Sequence, residues 1–259
     1  MKIQIIGLGI VGTAQACLSQ KLGHDVVGYD IRPVKNSYCR VNENMVDDVD
    51  ITFICANESA TEDIVGHLVD IEHRGIIAIK STVPVGATQQ LSRRFGIHIC
   101  HNPEFLREKY YLEDIYNPNM IIIGGCCPEH NNILKEFYQP LQKPIIIVDP
   151  TTSELSKLAL NGHLSVLITF WNEINELCCK LNIDIRDISN IVAHDPRISS
   201  YGTDFFGSPY GGKCLPKDII HLIETFHSHD INPKFFESCE NFNKSLIKKG
   251  RVARSDNDI

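Results

Sequence analysis

No apolar run in the 259 residues approaches the roughly 20 needed to cross a bilayer as a helix. No basic cluster is long enough to mark a nucleic-acid footprint, and the net charge is −7. The N-terminus lacks the basic n-region and apolar h-region of a secretory signal. Of the ten cysteines, none belongs to a C-x-x-C pair. Cys126-Cys127 and Cys178-Cys179 are adjacent pairs with no partner cluster after them, so the spacing suggests neither a zinc site nor a disulfide framework. Internal repeats and low-complexity tracts are also missing. These absences set the expectation of a cytoplasmic protein with reduced thiols, no metal, no membrane and no nucleic acid. The hydrophobic content of 43% suffices for one large domain or two modest ones.

What is present begins with a short apolar strand over 2–6. It runs straight into Gly7-Leu8-Gly9-Ile10-Val11-Gly12 and then a helical pattern through Ala14, Cys17, Leu18 and Leu22. This is G-x-G-x-x-G with a strand before it and a helix after it, the context in which such a loop binds a dinucleotide. Gly7 makes the tight turn, Gly9 admits the pyrophosphate, and Gly12 lets helix and strand pack closely. A second strand, 25–29, ends in Asp30. An acid at that distance hydrogen-bonds the adenosine ribose and repels a 2′-phosphate, which favours NAD, with Arg32 close by. Residues 31–49 are polar and irregular. Strands are expected at 50–55, 76–79, 97–100, 120–123 and 144–148, with helices at 59–71, up to residue 95, and near 128–138. This alternation predicts a doubly wound parallel sheet over 1–150. Thr82, at the carboxyl end of a strand, is placed to line the cofactor crevice. Glu104 and Glu108 share one side if their segment is helical, and paired carboxylates can run acid–base chemistry.

From residue 152 the period changes. Ser153 is placed to cap a long helix reaching Leu181, with apolar residues on more than one face. A homodimer through 153–181 follows as the expectation. Lys157 and Asn161, at i and i+4, form a candidate base or alkoxide stabiliser. Shorter helices near 185–193, 215–229 and 233–248 complete a small all-helical domain over 151–249, and 250–259 is expected to fray. Within that domain lies Gly207-Ser208-Pro209-Tyr210-Gly211-Gly212-Lys213-Cys214-Leu215-Pro216-Lys217-Asp218. The paired glycines allow a close backbone approach, and Pro216 suits the first turn of a helix. Cys214 then sits at a helix N-terminus flanked by lysines, a setting that favours a nucleophilic thiolate. Asp218 follows one turn later.

Taken as a set, GLGIVG, KSTVPVGAT, NPEFLRE, ELSKLALN, DPRI and GGKCLPKD resemble, in order, the motifs of the UDP-glucose/GDP-mannose dehydrogenase family. The resemblance covers residues 1 to about 249. It implies an NAD-dependent oxidation of a nucleotide sugar, UDP-glucose first, at C6 to the acid, with two hydride transfers. It also implies catalytic roles for Thr82, Glu104, Glu108, Lys157, Asn161, Cys214 and Asp218. Cofactor contacts would come from Gly7, Gly9, Ile10, Val11, Gly12, Asp30, Arg32 and Thr82. The substrate would meet Glu104, Phe105, Leu106, Lys157, Asn161, Tyr210 and Gly211, with Arg197 reaching the substrate of a neighbouring subunit. Members of the family continue into a further Rossmann-like domain over the substrate's nucleotide, which leaves two readings open: a truncated or minimal form, or a second chain as the partner that supplies that cover. The alternatives are a two-electron hydroxy-acid dehydrogenase, against which Cys214 argues, and a non-catalytic NAD-binding dimerising remnant.

Overall fold

The computed structural model describes residues 1–255 and divides the chain into two units, Met1–Lys157 and Leu158–Ile259. The division lies inside a helix.

The first unit is an eight-stranded sheet built from β1 (Lys2–Ile6), β2 (Asp25–Tyr29), β3 (Arg40–Val41), β4 (Ile51–Ile54), β5 (Ile76–Ile79), β6 (Ile99–His101), β7 (Ile121–Gly124) and β8 (Ile145–Val148). Its order is β3-β2-β1-β4-β5-β6-β7-β8. Strand β1 lies between β2 and β4, so the chain winds one way to β3 and then the other way from β4. The carboxyl ends of β1 and β4 flank that switch point, where open α/β sheets bind their ligands. All pairings are parallel except β6 with β7, which is antiparallel and rests on one register pair, His101 with Gly124. The doubly wound, mostly parallel sheet that the alternation predicts is thus present, with one antiparallel junction.

The interior strands β4, β5 and β7 are fully buried, Ile-rich runs, as a sheet covered on both faces requires. One face packs Ile3, Ile5, Phe53, Ala78 and Ile123 against α1 (Ile10–Lys21) and α5 (Pro128–Tyr138); the other packs Ile6, Ile54, Ile77 and Ile79 against α2 (Thr61–Asp70) and α3 (Ala87–Phe95). Residues 31–49, read as irregular, contain β3 and are held down by buried Gln4. Its amide donates to Val46 O at 3.1 Å and accepts from the Val46 N–H at 2.7 Å.

Helix α6 (Pro150–Leu181) runs from the first unit into the second. It starts earlier than expected and the cap differs: Asp149 accepts from the Thr152 N–H at 3.0 Å and from the Thr152 hydroxyl. Ser153 is buried inside the helix, with its hydroxyl 2.8 Å from His101 Nδ1. The second unit adds α7 (Ile185–Val192), α8 (Leu215–Ser228) and α9 (Lys234–Lys248), packed through Ile168, Phe205, Tyr210, Leu215 and Ile219. The tail departs from the expected fraying: Arg254 bridges to Tyr210, its N–H donating to Pro209 O at 2.9 Å and its O accepting from the Gly211 N–H at 2.6 Å. Residues 256–259 lie outside the described residues. No helix among the described residues is long and apolar enough to cross a membrane.

Candidate active site

In the first unit, the glycine loop fits a dinucleotide by its own geometry. Gly7 has φ +87, and a Cβ there would lie 2.7 Å from Ala56 N, at the switch point. A Cβ on Gly12 would lie 1.8 Å from Gly7 O, so α1 docks on β1 only with glycine there. A Cβ on Gly9 would meet no atom within 4 Å, which leaves open space over the loop. Gly9 is the N-cap of α1, whose first turn receives no side-chain cap and contains no acidic residue. Outward N–H groups and the helix dipole there suit a pyrophosphate. Ile10 and Val11 begin the helix, both half-buried. Replacing Gly12 with Ala is expected to destabilise the first unit by about 3 kcal/mol or more, because the clash is with backbone, and to abolish NAD binding with it. Chemical denaturation and NAD titration check this; wild-type stability would overturn the docking argument.

Asp30 follows β2 with its carboxylate nearly buried. It accepts from the Leu8 N–H in the glycine loop at 2.8 Å and from the Arg32 N–H at 3.0 Å. Burial alone would raise its pKa, but the hydrogen bonds from Arg32 and Leu8 and the Arg32 charge outweigh it and hold the carboxyl below the ordinary aspartate range. Arg32 itself projects into solvent, its Nε 3.3 Å from Asp30. Thr82 is half-buried just past β5.

Lys157 is buried and fastened to the segment after β6. Its Nζ donates to Glu104 O at 2.7 Å, lies 3.5 Å from Glu104 Oε1, and sits 5.1 Å from the centre of the Phe105 ring. Glu104 also accepts from the Leu106 N–H at 2.5 Å. Residues 102–107 are not helical, and Glu108 opens a short 3-10 turn, so the two glutamates do not share a helix face as expected. Pro103, which restricts its predecessor to extended backbone, is one reason.

Nearby on α6, Glu154 accepts from the Gly86 and Thr88 N–H groups at 2.5 and 2.8 Å and so caps α3 from outside. Burial raises its carboxyl above the ordinary value of 4.5, against the pull of those hydrogen bonds. A carboxyl raised on folding lends stability that is complete below the unfolded value and is lost as pH rises through the folded one. Glu154→Gln, which cannot ionise, is therefore expected to gain on the wild type as pH rises from about 4.5 to about 7. Urea unfolding at both ends checks it; a difference independent of pH would sink the argument.

In the second unit, Cys214 is exposed at the N-cap of α8, and Asp218 lies one turn in, its N–H donating to Cys214 O at 2.9 Å. Asp218 is 1% exposed. Its Oδ2 accepts from Asn161 Nδ2 at 2.5 Å, and Lys217 Nζ lies 2.9 Å from Oδ1. One turn of α6 thus carries Lys157 and Asn161, each fastened to a different acidic residue.

The match to known proteins follows these motifs. Residues 40–142 match the NAD binding domain of the UDP-glucose/GDP-mannose dehydrogenase family, and residues 151–245 match its central domain. The chain belongs to this family. Among its relatives, a UDP-glucose 6-dehydrogenase of Rickettsia conorii is 32% identical over 293 residues, covering 94% of this chain and 67% of that protein. The same-named protein of Rhizobium meliloti is 30% identical over 319 residues, covering 100% and 72%. A UDP-glucose dehydrogenase structure from Pyrobaculum islandicum superposes with a TM-score of 0.88 at 26% identity, over 94% of this chain and 68% of that one. NAD is the family's cofactor, and the glycine loop lies ahead of the matched stretch, so its fit rests on the geometry above.

Within this dehydrogenase two of the expected substrate residues lie against the chain itself. Tyr210 is fully buried, its hydroxyl donating to Glu240 at 2.6 Å, so the side chain is core. A Cβ on Gly211 would lie 2.8 Å from Ala253 Cβ, and one on Gly212 would lie 2.9 Å from Ser255 Cβ. The close approach that these glycines allow is therefore to the chain's own 253–255 segment. Arg197 is exposed and forms a two-point ion pair with Asp195, at 2.9 and 2.5 Å.

Sequence reasoning passed over the residues that hold the Cys214 loop. Asn172 donates to Ser208 O and accepts from the Gly207 N–H, both at 2.8 Å. Asn243 accepts from the Tyr210 N–H at 2.9 Å and donates to Tyr210 O at 3.1 Å. Buried Lys80 donates to Asn102 Oδ1 at 3.0 Å, and burial lowers its pKa to about 8. Asn at apolar positions of α6 and α9 is the signal that could have found the first two.

Proposed function

We propose that this dehydrogenase oxidises the C6 hydroxymethyl of UDP-glucose to the carboxylate, using NAD. The observation that carries the reading is Cys214, an exposed thiol at the N-terminus of α8, with buried Asp218 one turn on and bonded to Asn161. NAD, when bound, accepts the hydride of each oxidation. In the first, the hydroxyl proton leaves through a water held by Asp218, while Lys157 and Asn161 steady the oxygen as charge develops on it. The Cys214 sulfur then adds to the aldehyde carbon, forming a C–S bond and a thiohemiacetal. Loss of a second hydride and the hydroxyl proton gives a thioester. Water, oriented by Thr82 and deprotonated by Glu104 or Glu108, cleaves the C–S bond to release the acid and the thiol. Asp30 would accept from the ribose hydroxyls and oppose a 2′-phosphate.

Reduced cofactor counted per UDP-glucose consumed tests this, with NAD and with NADP. Two NADH per sugar acid and a strong preference for NAD are expected. One NADH with the aldehyde as end product would refute the four-electron course, and no turnover of UDP-glucose would refute the substrate.

The same reading includes a homodimer across α6, where Leu155, Phe170, Leu177 and Leu181 stay exposed. Sedimentation at micromolar concentration is expected to give a dimer that Phe170→Glu disperses; a monomeric wild type would end this part.

A further inference from the structure

The reaction above uses one of the ten cysteines. Two others converge with a histidine elsewhere in the first unit, and a third lies beside them. Cys100 lies in β6, Cys126 and Cys127 in the turn after β7, and His130 in the first turn of α5. Cys126 Sγ is 3.3 Å from Cys100 Sγ, 3.9 Å from Cys127 Sγ and 3.3 Å from His130 Nδ1. The ligand atoms of Cys100, Cys126 and His130 all lie within 4.8 Å of one another. Cys100 is buried and the other three are half-buried, which suits a site shielded from bulk water yet open to an entering ion.

A tetrahedral zinc with Zn–S near 2.3 Å and Zn–N near 2.0–2.1 Å has ligand–ligand edges of about 3.5–3.8 Å. The Cys100 and His130 separations from Cys126, both 3.3 Å, lie just under that range. A Cys100–Cys126 disulfide would need the sulfurs at about 2.05 Å and would leave His130 without a part. Plain core packing accounts for buried thiols but not for an imidazole nitrogen aimed at one of them. The location also gives an ion something to hold. Strands β6 and β7 share the single ladder pair His101–Gly124, whereas β7 and β8 share four. Cys100 immediately precedes that pair on one strand, and Cys126 follows it by two residues on the other. The sequence shows no zinc spacing because Cys100, in β6, lies 26 residues before Cys126, in the turn after β7, and only the sheet brings them together.

We propose that Cys100, Cys126 and His130 bind one Zn²⁺ that braces the β6–β7 junction, with water in the fourth position. The thiols enter as thiolates and the imidazole as the neutral base, so the released protons go to solvent and no electron moves.

Cobalt is the probe, on the full chain, reduced and stripped of metal with a chelator. One equivalent of CoCl₂ is expected to give thiolate-to-cobalt charge-transfer absorption with the visible bands of a tetrahedral site, and ZnCl₂ should bleach both. Cys126→Ser is expected to weaken cobalt binding beyond the about 10–100-fold that loss of a supporting residue costs. Cys214→Ser and Cys179→Ser should leave the spectrum intact. If Cys126→Ser fails to fold, His130→Gln, changed at a half-buried helix position, should shift the visible bands and weaken binding. The proposal is overturned if no stoichiometric spectrum forms, if it survives both ligand changes, or if it disappears with Cys214. It is equally overturned if the protein purified without reductant holds a Cys100–Cys126 disulfide and no zinc.

Discussion

Cys214→Ser is expected to form no sugar acid: acid production should fall by at least about 10³-fold, and the count of NADH per UDP-glucose from two to at most one. Serine is close to cysteine in size, so the N-cap of α8 and the loop held by Asn172 and Asn243 should keep their shape. What changes is the nucleophile. Sulfur is a far stronger nucleophile than a serine hydroxyl in the same place, so the thiol adds to an aldehyde where the hydroxyl does not. The first oxidation needs no covalent bond to the protein, so the aldehyde should still form or stay bound. The second hydride leaves from a carbon bearing a C–S bond, so it should stop. Mass spectrometry of the products decides: acid formation at the wild-type rate by the serine variant would remove Cys214 from the chemistry.

The pieces that sequence alone made legible share a local cause. Apolar Ile and Val runs bounded by turns gave the strands, the glycine spacing gave the strand–loop–helix at 2–21, and the long apolar period gave α6. The family motifs from KSTVPVGAT to GGKCLPKD lie within the stretches that match the family, whereas GLGIVG lies ahead of them. The departures come from features that no local pattern encodes. Strand direction at β6–β7 is decided by how the chain returns to the sheet, not by the residues 121–124. Strand β3 is two residues long, too short to show a period. Asp149 displaced Ser153 as the cap because both are good capping residues and only tertiary packing, here His101 against Ser153, separates them. The paired glycines 211–212 correctly announced a close approach, but not what approaches, which is the chain's own segment 253–255. Of the candidate residues, Lys157, Asn161, Asp218 and Cys214 lie where a helix pattern alone could place them; their fastening to Glu104 and to one another required the fold.

Lys157→Met is expected to lower kcat by about 10²–10³-fold, the scale of losing one donor to a developing oxyanion, while NAD affinity stays near that of the wild type. Methionine keeps the length and apolar stem of lysine, so the packing against Phe105 is retained and only the charge and its donors go. Two roles compete for this residue, and the structure lets them be separated. Lys157 holds the 104–105 segment through Glu104 O and Oε1, so its loss leaves a shielded carbonyl without its donor, at a cost of about 1–3 kcal/mol in stability. That loss alone would shift unfolding and substrate KM but not the chemical step. Glu104→Gln is the control that removes the side-chain part of this clamp alone: the carboxylate contact goes, the Lys157 bond to Glu104 O at 2.7 Å remains, and the ammonium stays in place. If Lys157 steadies the oxygen, single-turnover hydride transfer to NAD collapses in Lys157→Met, whereas Glu104→Gln keeps that first transfer. Equal rates of first hydride transfer in Lys157→Met and wild type would leave Lys157 as a clamp on the 104–105 segment and nothing more.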